Sequence, residues 1–353
     1  MKRLLLILLA TISSVASISA QEVKNIIYLI GDGMGLASVS MMQLENLYET
    51  TIFDRAENIA LQKTYSLDNR VTDSAASGTA LATGTKTNNT MLGMTPDGTA
   101  LESLMDMASH EGKATGLVVT TYIQHATPAA FYAHARSRHE YTSIAEQLLK
   151  SDIDIAIGGG MAFFDECYGD HKEAIKAIAD SGFVLHADLD TEDDAERQLY
   201  ILADKEIEAR EGYLAKATAK ALAHLEGDDD GFVLMVEGSL IDGMGHGNDA
   251  KGQQGEMHDF IEAIEVAVEY AEEHPGTLVV VTADHETGGL SIVSNNADFN
   301  LSEQGVEYRW TTDGHSGVMV PIYLYGTGAE RINGIMENST LGEKLKNIIS
   351  VHP

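Results

Sequence analysis

The sequence predicts an α/β fold with a mostly parallel central sheet and helices on both faces of that sheet. Two observations predict it: uninterrupted apolar runs alternate with amphipathic segments of helical period, and polar residues directly follow several of these runs. Strands covered by helices on both faces are buried on both faces, so they read as continuous rather than alternating apolar runs. Their alternation with helices favours an open α/β sheet.

The individual elements follow from the same pattern. The predicted strands are Asn25–Ile30, Ala114–Thr120, Ile153–Ile157, Gly231–Val236, Leu278–Val281 and Met319–Tyr325. The predicted helices are Ser143–Lys150, Lys172–Asp180, Leu214–Leu225 and Met257–His274. No linker, repeat or shift in composition divides the chain, and we predict a single domain over residues 21–353.

Residues 1–20 have the pattern of a signal peptide. Lys2 and Arg3 precede the apolar run Leu4–Ala10, and small residues lead up to Ala20. The run is too short to cross a bilayer, and no second run of membrane length follows it. We therefore predict cleavage near Ala20, a periplasmic or secreted protein, and no membrane anchor.

The charge of the chain excludes several classes of partner. The 54 acidic residues outnumber the 23 basic ones, which gives a formal net charge of −31. Such a field repels nucleic acid and anionic lipid, so we expect no nucleic-acid binding. The lone cysteine, Cys167, excludes a disulfide within the chain.

Carboxylates, histidines and a threonine follow four of the predicted strands. In chain order they are Asp32, His125, Thr127, Glu237, Asp242, His246, Asp284 and His285. Open α/β sheets bind ligands in the crevice beyond the carboxyl ends of their strands. A single polar residue at that edge is unremarkable, but four strands that all deliver such residues predict a ligand site.

Asp32 lies in the glycine-rich turn Gly31–Gly35, which invites comparison with the dinucleotide fingerprint. The third glycine of that fingerprint would fall at Leu36, and an acidic residue in the turn would repel a pyrophosphate. Two interpretations remain: Asp32 accepts hydrogen bonds from turn amides, or it approaches a metal ion closely between small neighbours.

The segment from Glu237 to His246 places two carboxylates and an imidazole in one short stretch. Zinc binds carboxylate oxygen and imidazole nitrogen at about 2.0–2.2 Å, and Asp242 and His246 are spaced to reach one ion from a helical turn. Asp284 and His285 form a second mixed pair, and His315 lies in a later loop. Each histidine taken alone is compatible with a structural role.

Ser74 lies in Asp73-Ser74-Ala75-Ala76, a turn that leads into a predicted helix of small residues. Ser74 could cap this helix. It could also be a nucleophile at a helix N-terminus, where backbone amides and the helix dipole favour a phosphate. Arg136 and Arg138 are candidates to bind such a phosphate, and residue chemistry does not choose between them.

Together these segments resemble the alkaline phosphatase family over nearly the whole chain after residue 20. The matching motifs, in the order of the family, are Ile30–Gly35, Thr72–Ser77, His125–Ala130, Ser137–His139, Val236–Asp242 with His246, Thr282–Gly288 and Gly314–Ser316. The resemblance implies an alkaline-phosphatase-like fold and metal-dependent hydrolysis of small phosphate monoesters through a phosphoserine. It also implies two Zn²⁺ and one Mg²⁺ per chain, and a homodimer, which is common in the family.

The resemblance also implies a role for each residue. Ser74 is implied as the nucleophile, Arg138 as the phosphate-binding arginine, and Asp73 as the residue that orients it. The ligands implied for one Zn²⁺ are Asp242, His246 and His315. Those implied for the second are Asp32, Asp284 and His285. Those implied for Mg²⁺ are Asp32, Thr127 and Glu237, with His125 in direct contact or just behind them.

The chain departs from the family pattern at two positions. Some bacterial relatives have Asp in place of His125, and relatives often have Lys, His or Trp in place of Gly243, where that residue holds phosphate through water. We therefore predict that phosphate is retained more weakly here than in the relatives with lysine.

Two rival functions fit the sequence less well. A sulfatase would need a Cys/Ser-x-Pro-x-Arg motif, which the segment around Ser74 lacks, and related phosphodiesterases typically use Thr and lack the counterpart of Arg138. A metal- or phosphate-binding protein without turnover is the rival from another class. Phosphate release from a generic ester distinguishes it from an enzyme.

Overall fold

The computed structural model describes residues 22–47, 49–207, 212–294 and 305–350, so the predicted signal peptide lies outside the described residues. The strands are β1 (Asn25–Gly31), β2 (Asn58–Lys63), β3 (Ala114–Tyr122), β4 (Ile155–Gly159), β5 (Val184–His186), β6 (Gln198–Ile201), β7 (Phe232–Gly238), β8 (Thr277–Thr282), β9 (Glu286–Thr287), β10 (Ser291–Ser294), β11 (Val306–Arg309), β12 (His315–Ser316), β13 (Val320–Gly326) and β14 (Gly334–Glu337). The helices are α1 (Leu36–Glu45), α2 (Ser74–Thr83), α3 (Leu104–His110), α4 (Ala126–Ala129), α5 (Tyr141–Lys150), α6 (Met161–Tyr168), α7 (His171–Asp180), α8 (Tyr213–Leu225), α9 (Leu240–His246), α10 (Ala250–Glu273) and α11 (Asn338–Ile349).

Ten of the described strands form one sheet in the order β14-β2-β13-β8-β1-β7-β3-β4-β6-β5. β13 pairs antiparallel with both of its neighbours, and the other strand pairs of the sheet are parallel. The mostly parallel α/β sheet predicted from the sequence is thereby confirmed.

Helices cover both faces of this sheet, as predicted. Along β1, Ile26, Tyr28 and Ile30 pack into one apolar layer with α2, α3, α5 and α11, whereas Ile27 and Leu29 pack into the opposite layer with α8 and α10. These five side chains have no exposed surface. The alternation explains why the predicted strands read as continuous apolar runs: each successive residue enters one of two buried layers.

Several element boundaries differ from the predicted ones. The strand predicted from Ile153 begins at Ile155, and the helix predicted from Met257 begins seven residues earlier, at Ala250. Glycines between Ala250 and Met257 weaken the helical pattern in the sequence. The side chain of Asp249 nevertheless caps the helix by accepting a hydrogen bond from the amide of Gly252.

None of the helices in the described ranges is long and apolar enough to cross a bilayer.

Candidate active site

The register of the three central strands brings the predicted polar residues to one edge of the sheet. Ile30 of β1 lies beside Glu237 of β7 on one side and beside Thr282 of β8 on the other. Asp32 therefore emerges between Glu237 and Asp284. This placement follows directly from parallel pairing, because the carboxyl ends of parallel strands lie at the same edge.

The turn after β1 requires glycine. Gly33 has a φ of +75°, and a Cβ atom there would lie 2.9 Å from the Cα atom of Asp242. Its amide donates a hydrogen bond to Oδ1 of Asp284 over 3.1 Å. The small residue at this position lets the segments that carry Asp32, Asp242 and Asp284 pack closely together.

Asp32, Asp284 and His285 form a fully buried group, which we call the inner cluster. Nε2 of His285 lies 3.4 Å from Oδ1 of Asp32 and 3.2 Å from Oδ2 of Asp284, and all three side chains have 0% exposure. Oγ of Ser74 lies 3.1 Å from the same Nε2 atom. The structure thus brings together four residues that are separated by up to 253 positions in the sequence.

Asp242, His246 and His315 form a second group, the outer cluster. Nε2 of His246 lies 3.3 Å from Oδ2 of Asp242, and Nε2 of His315 lies 3.5 Å from Oδ1 of the same carboxylate. The two Nε2 atoms are 3.2 Å apart. The rings of His285 and His315 stack at 3.6 Å, so the inner and outer clusters are adjacent.

Hydrogen bonds of the Nδ1 atoms orient these histidines. Nδ1 of His246 contacts the backbone carbonyl of Asp313 at 2.6 Å, and Nδ1 of His315 contacts that of Thr72 at 2.8 Å. A carbonyl only accepts, so each Nδ1 atom carries a proton, and in the neutral form of each ring the Nε2 atom has a lone pair. In that form two lone pairs face each other at 3.2 Å and can bind one cation, and metal-binding histidines are commonly oriented in this way.

A third group consists of Asp32, His125 and Glu237, whose potential ligand atoms lie within 4.8 Å of one another. Thr127, in the short helix α4, is completely buried, and its hydroxyl forms no hydrogen bond with the described residues. Ser239 donates a hydrogen bond to Oε2 of Glu237 over 2.5 Å. The chain therefore assembles three adjacent groups of predicted metal ligands.

Ser74 is the first residue of α2 and does not cap it. Asp73 is the N-cap residue: its Oδ1 atom accepts a hydrogen bond from the amide of Ala76 over 3.0 Å. Oδ2 of Asp73 accepts a second bond from the amide of Thr90, also at 3.0 Å. Of the two interpretations of Ser74, the capping role thus belongs to its neighbour, and the Ser74 hydroxyl is directed towards the inner cluster.

The two candidate arginines occupy different places. Nη2 of Arg138 lies 3.0 Å from Nε2 of His125, and Nη1 lies 3.5 Å from Oδ2 of Asp73. Arg136 instead donates a hydrogen bond to the backbone carbonyl of Asp97 over 3.1 Å. Only Arg138 of this pair is in contact with residues of the site.

The buried carboxylates of the site have unmatched oxygen atoms. Among the described residues, both oxygens of Asp32, Oδ2 of Asp284 and Oε1 of Glu237 are buried and accept no hydrogen bond. A buried carboxylate without compensating charge costs several kcal/mol, roughly, relative to one in water. Oxygen and imidazole ligands around these atoms suit zinc, and the oxygen-rich group with Glu237 also suits magnesium.

Electrostatics give the same indication. Burial raises the pKa of Asp32 well above its usual value, and repulsion by Asp284 and other carboxylates adds to that effect. Burial raises the pKa of Glu237 to about 8 and that of Asp284 to about 7. In the metal-free chain these acids hold protons more tightly than in water, which marks a site built to receive positive charge.

The histidines divide into two classes. Burial lowers the pKa of His285 well below its usual range, and burial together with Arg138 lowers that of His125 to about 3. A hydrogen bond to Asp242 raises the pKa of His246 to about 9. Burial raises the pKa of Asp242. The hydrogen bond with His246 and the electrostatic interactions with His285 and His315 together lower it by more, so the net shift is downward.

Thr287, which links the two clusters, was not among the predicted site residues. Its hydroxyl donates to Oδ1 of Asp242 over 2.5 Å and lies 3.2 Å from Nδ1 of His285, which leaves Nε2 of His285 facing Ser74. Thr287 belongs to one of the motifs quoted above, but nothing in the sequence distinguishes this contact. The partners of His246 and His315 are backbone carbonyls, which every residue type has, so the sequence cannot indicate them.

Comparison with known proteins gives the family. A sequence profile of the family described as alkaline phosphatase matches residues 23–304. The chain belongs to the alkaline phosphatase family. Alkaline phosphatase 3 of Bacillus subtilis (strain 168) is 32% identical over an alignment that covers 92% of this chain and 88% of the relative. Alkaline phosphatase of Escherichia coli (strain K12) is 30% identical, with 94% and 87% covered.

Solved structures of alkaline phosphatases share the fold. The enzyme from the Antarctic bacterium TAB5 is 34% identical with a TM-score of 0.88, and the match covers 95% of this chain and 100% of that one. The cold-active enzyme from Shewanella sp. is 32% identical with a TM-score of 0.85, over 93% and 100%. As a member of this family, the protein is an enzyme that hydrolyses phosphate monoesters with the help of metal ions.

Proposed function

We propose that Ser74 carries the phosphoryl group during this hydrolysis and that Arg138 binds the oxygens of the phosphate. One observation carries the proposal: Oγ of Ser74 lies at the start of α2, 3.1 Å from Nε2 of His285 in the inner cluster. The Asp73 next to it contacts Arg138. A nucleophile, a cluster of metal ligands and a cation that can pair with phosphate are therefore adjacent.

We further propose which residues hold the metals. The inner Zn²⁺ ligands are Asp32, Asp284 and His285, the outer ones are Asp242, His246 and His315, and those of Mg²⁺ are Asp32, Thr127 and Glu237. The unmatched oxygens and the orientation of the Nε2 atoms support this assignment. When bound, the ions supply positive charge that favours an ionised Ser74 oxygen and stabilises the departing oxygen. A histidine-to-aspartate mutant of the TAB5 enzyme has Mg bound in its M3 site, which makes Mg²⁺ a reasonable third ion.

The protein's own residues divide the reaction into two displacements. In the first, Oγ of Ser74 attacks phosphorus, the bond from phosphorus to the ester oxygen breaks, and the alcohol leaves with a proton. In the second, water attacks phosphorus, the bond to Ser74 breaks, and Ser74 regains its proton as phosphate departs. Arg138 can bind two phosphate oxygens with its guanidinium fork in both steps. Asp73, fixed by the amides of Ala76 and Thr90, holds that guanidinium on the side of Ser74.

Gly243 leaves room beside the outer cluster. A Cβ atom at this position would meet no other atom within 4 Å. Glycine has no side chain that could hold phosphate through water, which supports the weak binding of phosphate predicted for this site. His125, through its contact with Arg138, is assigned a place behind the phosphate-binding arginine.

The proposed location is the periplasm or the exterior, after cleavage near Ala20, and the proposed assembly is a homodimer of single-domain chains. The amino-acid pattern of residues 1–20 supports the first, and membership of a family in which dimers are common supports the second. Mass spectrometry of the exported protein and light scattering of the purified protein test these two points.

The deciding experiment is hydrolysis of p-nitrophenyl phosphate at alkaline pH with Zn²⁺ and Mg²⁺, with chelator, and with Ser74→Ala. We expect metal-dependent turnover that Ser74→Ala abolishes, and an acid-quenched phosphopeptide that contains Ser74 in the wild type. Ser40→Ala serves as the control, because the Ser40 hydroxyl only bonds to the backbone of α1. Turnover by folded Ser74→Ala, or a phosphopeptide without Ser74, would contradict the assignment.

A further inference from the structure

An aromatic cluster lies directly behind the pair formed by His125 and Arg138. Tyr122, the last residue of β3, packs edge-to-face against the ring of His125, with centroids 5.2 Å apart and planes at 86°. On its other side it contacts Tyr141 and Phe163, with ring centroids 5.6 and 4.7 Å away. None of these aromatic residues belongs to the site predicted from the sequence.

The same cluster is joined to the segment that carries Arg138. The hydroxyls of Tyr122 and Tyr141 are 3.4 Å apart, and Nδ1 of His139 lies 3.2 Å from the hydroxyl of Tyr141. His139 directly follows Arg138. Tyr122 thus contacts His125 on one side and, through Tyr141, the segment Arg138–Tyr141 on the other.

The orientation of the His125 ring determines where the guanidinium of Arg138 lies. Nη2 of Arg138 donates to Nε2 of His125 over 3.0 Å, whereas its contact with Asp73 is longer, at 3.5 Å. Within the described residues, Nδ1 of His125 is buried and forms no hydrogen bond. No protein hydrogen bond therefore fixes the ring from its other nitrogen, and the ring of Tyr122 is the aromatic contact that restrains its plane.

We propose that Tyr122 is a positioning residue for phosphate binding, which acts through His125 on Arg138. The inference rests on the proposed role of Arg138. An arginine side chain loses much rotamer freedom when it binds phosphate, and a guanidinium that is already held in place loses less. The ring of Tyr122, rather than its hydroxyl, supplies this restraint, because only the ring contacts His125.

The test compares Tyr122→Leu with Tyr122→Phe in fully metallated enzyme. For Tyr122→Leu we expect the inhibition constant of inorganic phosphate and the KM for p-nitrophenyl phosphate to rise about two- to tenfold, the range of an aromatic pair contact. The value of kcat should change less. Tyr122→Phe keeps the ring and should restore both constants to near the wild-type values.

Two further variants separate this effect from a loss of stability. Tyr200 forms a second tyrosine–histidine pair, which is buried and in which its ring stacks on His186 at 4.5 Å in a different part of the sheet. Tyr200→Leu should lower the melting temperature and leave both constants unchanged. In an Arg138→Ala background, Tyr122→Leu should have no additional effect on the phosphate constant.

The outcomes distinguish the inference from the function on which it rests. If Arg138→Ala leaves the phosphate constant unchanged, the proposed role of Arg138 fails. If Arg138→Ala raises it but Tyr122→Leu does not, or if Tyr122→Leu acts equally in both backgrounds, the positioning role of Tyr122 is wrong. Failure of Tyr122→Phe to restore binding would transfer the role from the ring to the hydroxyl and overturn the inference as stated.

Discussion

The inner and outer clusters contain the same ligand types but are built in different ways. The inner cluster lies on the turns directly after β1 and β8, and its side chains have no exposed surface. In the outer cluster, Asp242 and His246 lie on the short helix α9 and His315 begins the two-residue strand β12. The His246 side chain is 43% exposed there.

This difference indicates a division of labour. Parallel strand ends are held by the core of the sheet, so the inner ligands keep their geometry whatever enters the site. The outer cluster lies on a short helix and a short strand at the surface, and one side of it is open to solvent. Thr287 links it to the inner cluster. Substrate, water and departing phosphate can therefore reach the outer cluster, and we expect its ligands to tolerate change better.

The largest predicted effect is a difference in kcat/KM between variants of the inner and the outer cluster. Asp284→Asn should lower kcat/KM by roughly 10³-fold, because it removes a negatively charged metal ligand next to Ser74. The site is buried, so water cannot replace this ligand. His246→Gln should lower kcat/KM by only about 10- to 100-fold, since water can replace an exposed metal ligand. Activity measured over a range of zinc concentrations, with bound zinc determined by mass spectrometry, checks both values.

Excess zinc should recover part of the activity of His246→Gln and almost none of that of Asp284→Asn. His274→Gln, at the exposed end of α10, is the control and should behave as the wild type. Equal losses in the two variants, with no recovery by zinc in either, would show that the clusters do not differ in this way.

The sequence predicted the inner cluster better than its surroundings. Asp32 and Asp284 follow long apolar strands, and parallel pairing alone requires that such residues meet at one edge of the sheet. The four predicted helices and six predicted strands all exist in the structure, with shifts of at most two residues at their ends except at the start of α10, which lies seven residues earlier than predicted. The short strands β2 and β14 are among those that were not predicted, because their mixed polar and apolar residues lack the continuous apolar run that marked the predicted strands.

Contacts that depend on distant packing could not be predicted. The carbonyls that orient His246 and His315 belong to Asp313 and Thr72, and any residue type could supply them. Residue chemistry did not choose between Arg138 and Arg136, and the choice of Arg138 came only from the family resemblance; the contacts of Arg138 with Asp73 and His125 depend on distant packing. The side chains that follow strands can thus be predicted from the sequence, whereas the backbone groups that orient these side chains cannot.

A substitution at Gly243 tests the openness of the outer cluster. Gly243→Lys should lower the inhibition constant of inorganic phosphate by about tenfold, because a charged partner of phosphate contributes about 1.4 kcal/mol or more. The open space around this position accommodates the side chain. Product-inhibition kinetics provide the measurement, and Gly243→Gln controls for bulk without charge. An unchanged inhibition constant of phosphate in the lysine variant would show that phosphate does not bind near residue 243.

The smallest predicted effect concerns the metal-free protein between pH 7 and pH 9. The pKa of Glu237 is raised from 4.5 to about 8 and that of Asp284 from 3.8 to about 7. A raised pKa of this kind stabilises the fold fully below the unfolded-state pKa, and this stabilisation is lost as pH rises through the folded-state pKa. Glu237 alone should lower the free energy of unfolding by about 1 kcal/mol across this interval.

The outer cluster acts in the same direction, since the pKa of His246 is raised from 6.5 to about 9. His125 and His285, whose pKa values are lowered, are neutral in both folded and unfolded chains above pH 7 and contribute little there. Urea denaturation with chelator at pH 7, 8 and 9 measures the loss. Glu237→Gln should reduce it, and saturating Zn²⁺ and Mg²⁺ should remove it, because the ions replace the protons that the buried carboxylates otherwise require. Equal stability of the metal-free wild type at pH 7 and pH 9 would mean that the protein itself compensates the charges of Glu237 and Asp284, and these two carboxylates would then not need the metals that we assign to them.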